Sequence, residues 1–167
     1  MKKQIFISII AVLSLVIFSC EKDDAETIST LVSSASMTAT VGDKEWVSVT
    51  RISKFFTSTN IFSLSGTSTN GEILSLTIHG NSKGTYSTTL DSLSAQVGVV
   101  WKIDSKKFIN SEGEVRITEL DTSKKKISGT FSFEIFNIDS VAEQYQITSG
   151  AFTNLSYTQS ESDNSNN

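Results

Sequence analysis

A chain of 167 residues in which 38% of side chains are hydrophobic can fill one core but not two, because a domain near this size buries only about two-thirds of its unfolded surface. Its formal charge is −4, or −6 once Lys2 and Lys3 leave with an export signal, which argues against nucleic acid, since phosphate binding needs clustered Lys and Arg. The single cysteine excludes an internal disulfide, and the absence of proline leaves the turns to Gly, Asn, Asp and Ser.

Met1-Lys2-Lys3 is a positive start, and Ile5 to Phe18 is an uncharged, mostly apolar run broken only by Ser8 and Ser14. Its 14 residues fall short of the roughly 20 that a helix needs to span a bilayer, so residues 1–19 read as a signal peptide. The closing Ile17-Phe18-Ser19-Cys20 resembles the bacterial lipobox, which implies a diacylglyceryl group on the Cys20 sulfur. Two or more acyl chains give nearly permanent anchoring. Residues 20–36 carry acidic and Ser/Thr-rich stretches with no clean periodicity and are expected to be a flexible tether.

From Met37 onward the pattern is strand after strand. Met37, Ala39 and Val41 lead into a turn at Gly42-Asp43, and Glu45 to Val49 follows. Phe62 and Leu64 alternate with Ser63 and Ser65, and Asn70-Gly71 supplies a tight hairpin turn before Leu74, Leu76 and Ile78. Thr85 to Thr89 comes next, then Val97 to Ile103, whose Val97, Val99, Trp101 and Ile103 share a face. Glu114 to Leu120 and Ile127 to Phe136 read as a second hairpin, with Val115, Ile117, Phe131, Phe133 and Ile135 inward. In Tyr145 to Tyr157 the phase changes between Ile147 and Phe152, which suits a bulge near Gly150. Gln159 to Asn167 is a polar stretch with nothing to bury. The predicted fold is all-β: one antiparallel sandwich or flattened barrel of about eight or nine strands over residues 37–158, followed by a disordered polar tail over residues 159–167.

Little in these strands carries chemistry. His79 is the one histidine and falls in phase with Ser75 and Thr77, on the outer side of its strand, so no ordinary zinc site or hydrolase triad is expected, and no cofactor. Paired carboxylates could work as acid and base in a hydrolase, and Glu112, Glu114, Glu119, Asp121, Glu134 and Asp139 are the candidates, with no pair singled out. Lys124-Lys125-Lys126 reads as a solvated turn, the alternative being a patch for an anionic ligand. Trp46, Phe55, Phe56 and Tyr86 are the candidate ligand-contact aromatics, because exposed rings stack on sugars or hold apolar ligands. Trp101 is assigned to the core, and Phe55-Phe56 puts adjacent rings on opposite faces.

Ala39 and Val41 before Lys44 and Trp46, Gly84-Thr85-Tyr86, Ile127 to Phe133, and Ile147-Thr148 with Gly150 and Phe152 together resemble an uncharacterised lipoprotein family of the Bacteroidota, domain of unknown function 6252. The likeness covers nearly all of residues 37–157 and consists of strand and turn signatures. It departs at Gly42-Asp43, where members tend to have Asp-Gly. The family implies no active residues. Lys22-Asp23-Asp24, just after Cys20, is similar to the Lys-and-acid signal that sends lipoproteins of that phylum to the cell surface; the alternative is a charged spacer on a lipoprotein facing the periplasm. The expectation is therefore a non-enzymatic binding module held by lipid to the outer membrane, for a glycan, lipid or protein. The alternative is a structural or assembly component of an envelope complex, with a carboxylate-based hydrolase behind both.

Overall fold

Alternation of apolar and polar side chains makes these segments strands, and tight turns between them make the strands antiparallel neighbours. The computed structural model describes residues 34–89 and 95–161. Cys20, Lys22, Asp23 and Asp24, the residues 1–19 read as a signal peptide, and residues 162–167 lie outside the described residues. The strands are β1 (Ser36–Val41), β2 (Lys44–Phe56), β3 (Ile61–Ser68), β4 (Ile73–His79), β5 (Gly84–Thr88), β6 (Val97–Ile103), β7 (Lys106–Asp121), β8 (Lys126–Asn137), β9 (Ser140–Ser156) and β10 (Thr158–Ser160).

Eight of them form a closed barrel in the order β1-β9-β8-β7-β6-β4-β3-β2, and β1 pairs with β2 to close it. The all-β reading therefore holds, in its barrel form. β7 is long enough to take two partners along one edge: β6 pairs with Lys106–Ile109, and β5 pairs with Gly113–Ile117. β10 pairs in parallel with Lys54–Phe56 of β2. It carries the ladder through Gln159 and Ser160, two residues into the stretch read as a disordered polar tail. Main-chain hydrogen bonds, which do not need apolar side chains, hold it there.

The interior is filled. Met37, Trp46, Phe62, Leu64, Leu74, Leu76, Ile78, Phe108, Ile127, Ile135 and Phe152 are among the fully buried side chains, as expected of a small barrel whose inward residues meet at its axis. Gly66 makes room for the largest of them: a Cβ there would lie 2.7 Å from the Trp46 ring and 2.8 Å from Ser48 Cβ. The phase change in β9 occurs where expected, but Ser149, at φ 50°, takes the strained conformation as the register against β8 shifts between Phe131 and Phe133. Gly150 serves close packing instead, with the Phe131 ring lying where its Cβ would be.

Strand directions sort the turns into two ends. Gly42-Asp43, Asp104-Ser105 and Ile138-Asp139 are two-residue turns at one end, with residues 69–72 beside them. Residues 57–60, 80–83 and 122–125 lie at the other, where the described chain also begins and ends. At Gly42 the backbone has φ 60° while Asp43 does not have positive φ, the pattern of a type II′ hairpin turn with Gly first. Each end is stopped by rings. Phe55, Phe62 and Tyr157 pack at the end where the chain begins, with centroids 4.4–6.2 Å apart.

Candidate functional site

At the opposite end, which we call the mouth, a second aromatic cluster does not fill the space completely. Trp101 on β6 and Phe108 on β7 face each other in register, with ring centroids 5.1 Å apart. Tyr145 on β9 reaches across the barrel to both, edge-on, at 5.7 Å from Trp101 and 5.4 Å from Phe108. Its ring rests on Gly42, where a Cβ would stand 3.1 Å from Tyr145 Cδ1. Trp101 is 6% exposed and Tyr145 38%, so the first is wall and the second is surface. These rings, with Val41 and Ile103, line a partly enclosed hollow of about 260 Å³ rimmed by Asp43, Lys44, Asp104, Lys106 and Glu143.

The rim is held by a small polar network across three strands. Lys106 Nζ donates to Glu143 Oε1 at 2.7 Å, and Asn137 Nδ2 donates to Oε2 at 2.8 Å. The hydrogen bond from Lys106, then that from Asn137, holds the Glu143 carboxyl below its ordinary pKa, and the same carboxylate raises that of Lys106. One polar atom of the site is left over. The indole Nε1–H of Trp101 is buried, and no acceptor among the described residues lies within hydrogen-bond distance, whereas Trp46 donates its own to the Glu72 carbonyl at 3.4 Å.

The aromatics expected to contact a ligand are dispersed. Trp46 is core. Phe55 is half-buried and stacks on Phe62 at 4.4 Å. Phe56 is half-buried beside β10. Tyr86 is half-buried, with its ring over Gly80 and its hydroxyl donating to Ser82 O at 2.8 Å. Trp101 is inside as expected, but at the mouth. Phe108 and Tyr145 were not singled out as site residues. The Ile103-Asp104-Ser105-Lys106 hairpin, which brings Trp101 and Phe108 into register, is a signal for Phe108, while Tyr145, on β9, joins them only once the barrel closes.

The remaining candidates fall elsewhere. His79 is exposed. Glu112, Glu114 and Glu134 border a shallow groove of about 360 Å³ on the outside of β7 and β8, and Glu112 sits opposite Glu134 in register. Glu119 and Asp121 share another hollow with Lys83, Lys124 and Lys126; Asp121 accepts from Lys124 N at 2.8 Å and so organises the lysine-rich turn. Asp139 lies in the β8–β9 turn, exposed. Among the described residues, no group of three or more His, Cys, Asp or Glu side chains is placed to hold a metal ion.

Residues 33–156 match the family model described as Domain of unknown function (DUF6252). No curated protein and no solved structure matches the chain.

Proposed function

The chain belongs to the DUF6252 family, and from that footing we propose that it is a cell-envelope lipoprotein of the Bacteroidota type, anchored through Cys20, whose barrel is a non-enzymatic binding module with its site at the mouth. The observation that carries the reading is the partly enclosed hollow lined by Trp101, Phe108 and Tyr145. Barrel mouths are a preferred place for ligand sites, and such sites combine apolar walls with a few polar groups. The N-terminal charge, apolar run and Ser19-Cys20 support the anchor.

Two measurements test the two halves. Labelling cells with a palmitate analogue should mark the wild-type protein and not Cys20→Ala; label on the variant removes the anchor. For the site, mature protein carrying Cys20→Ser is screened by ligand-observed NMR against methyl glycosides, aromatic acids and lysophospholipids. Binding that Tyr145→Ala weakens and Phe56→Ala leaves alone supports the mouth. Binding by nothing in the panel, or binding indifferent to Tyr145, overturns it.

A second reading, an assembly component, is favoured by Val47, Val49 and Ile52, which are 55%, 51% and 65% exposed on one strand. Contiguous apolar exposure marks protein contacts. If that reading holds, changing all three to Thr abolishes cross-linking to envelope partners and leaves the mouth intact.

A further inference from the structure

The chemistry of the mouth narrows the ligand. Its lining is aromatic, and Tyr145 is the ring of the three that reaches solvent, Trp101 and Phe108 being buried behind it; an exposed ring suits the C–H face of a sugar stacked on it. Its rim carries both carboxylates, at Asp43, Asp104 and Glu143, and ammonium groups, at Lys44 and Lys106. A purely apolar molecule would leave these unused, and a ligand with a single strong charge would meet its like on the rim. A ring bearing several hydroxyls meets both, because each hydroxyl donates once and accepts twice. Trp101, which borders the hollow and is 94% buried, also has an indole N–H with no hydrogen-bond partner among the described residues. Leaving a buried donor without a partner is costly, so an acceptor supplied by a ligand gains more there than at the surface. The hollow is about 260 Å³, below the range of about 300–1,000 Å³ that takes a drug-sized molecule. Its rim residues Asp43 and Asp104 stand in turns at the end of the barrel, a position that suits an end rather than the middle of a chain.

We propose that the barrel mouth binds one terminal sugar residue of a glycan, stacked on the Tyr145 ring, with a ring or hydroxyl oxygen accepting from Trp101 Nε1. The inference rests on the mouth being the binding site, as proposed above, and names its ligand class. Tyr145 is the exposed ring of the three and stands edge-on to Trp101, so on this proposal it turns aside to let the sugar oxygen reach the indole N–H. Asp43 and Glu143 take the hydroxyl hydrogens. Lys44 donates to oxygens on the outer side.

The test uses the mature chain with Cys20→Ser and the methyl glycosides of glucose, galactose, mannose, fucose, rhamnose and N-acetylglucosamine, titrated one at a time by ligand-observed NMR, with benzoate and a lysophospholipid as non-sugar probes. At least one glycoside should bind, and Trp101→Phe, which keeps a ring and deletes the N–H, should weaken it about tenfold. Thermal unfolding of the variant, cooperative as in wild type, separates lost recognition from lost folding. Should Trp101→Phe fail to fold, Asp43→Asn in the exposed turn and Lys44→Met at the exposed start of β2 give the same reading, each weakening the glycoside severalfold. Binding of benzoate or the lysophospholipid at the mouth with no glycoside bound overturns the sugar and leaves the module standing. A silent panel overturns both. Glycoside binding unchanged by all of these variants overturns the site.

Discussion

At the scale of single residues, two features of the barrel have consequences that can be measured. Gly66 is where β3 passes under the Trp46 ring, and a methyl group there has atoms of Trp46 and Ser48 within 2.7–2.8 Å. The ring sits in a packed interior and has little room to retreat. Gly66→Ala should therefore destabilise the protein by about 1–3 kcal/mol, the range for overpacking, in urea or thermal unfolding; an unchanged midpoint would show that Trp46 can give way. Glu143 is the second. Its carboxyl is held below the ordinary carboxylate value by Lys106 first and Asn137 next, so its contribution to stability is present above the usual carboxylate range and is lost as pH falls through the lowered pKa. Lys106 is raised, so its share is present below the ordinary lysine range and is lost as pH rises through the raised value. The melting temperature of wild type should exceed that of Glu143→Gln at pH 7, and the gap should close at acid pH and at strongly alkaline pH. Both groups reach solvent, so the gap is expected to be small and to shrink with salt. A gap constant from pH 3 to pH 7 would mean that Glu143 acts through packing rather than charge.

At the scale of the element, β10 decides how the barrel is finished. The chain leaves β9 at Ser156, and Thr158–Ser160 then pair in parallel with Lys54–Phe56, with Thr57 N donating to Ser160 O at 3.0 Å. Ending the protein after Tyr157 removes these bonds and keeps the Tyr157 ring against Phe62. With each main-chain bond contributing about 1 kcal/mol net, the truncation should cost roughly 1–3 kcal/mol, and hydrogen exchange should quicken first at residues 54–57. Full stability after truncation would make β10 a surface addition. This strand was not legible in the sequence, because pairing through the backbone leaves no periodicity in Thr-Gln-Ser. Strands that bury one face were legible: β3, β4, β6 and β8 all show alternation that matches burial. The first half of β7 was missed because Lys106-Lys107 and Asn110-Ser111 surround its one large inward residue, Phe108. The extension of β2 to Phe56 was missed because the register shift between Ser48 and Thr50 breaks the alternation. The site was hidden for the same reason, since its rings come from β6, β7 and β9 and meet only once the barrel closes.

At the scale of the whole molecule, the position of the chain start matters. The described chain begins at Ser34 beside the end stopped by Phe55, Phe62 and Tyr157, and β1 then runs from that end to the mouth. Cys20 precedes Ser34 by 14 residues, so an anchor there, as proposed, joins the barrel at the end opposite the mouth. Lys22, Asp23 and Asp24 precede the family match that starts at residue 33, so, if they are the proposed sorting signal, changing all three to Ala should leave folding and palmitate labelling as they are and alter only the side of the outer membrane that the domain reaches. In the native host, protease added to intact cells should digest the wild-type domain and spare the triple variant. If both proteins resist the protease while lysed cells lose them, the lipoprotein faces the periplasm and the three charges are a solvated spacer. If both are digested, the domain is at the surface for a reason that lies outside these residues, and the search for the signal moves to the Ser/Thr-rich stretch up to Ser36.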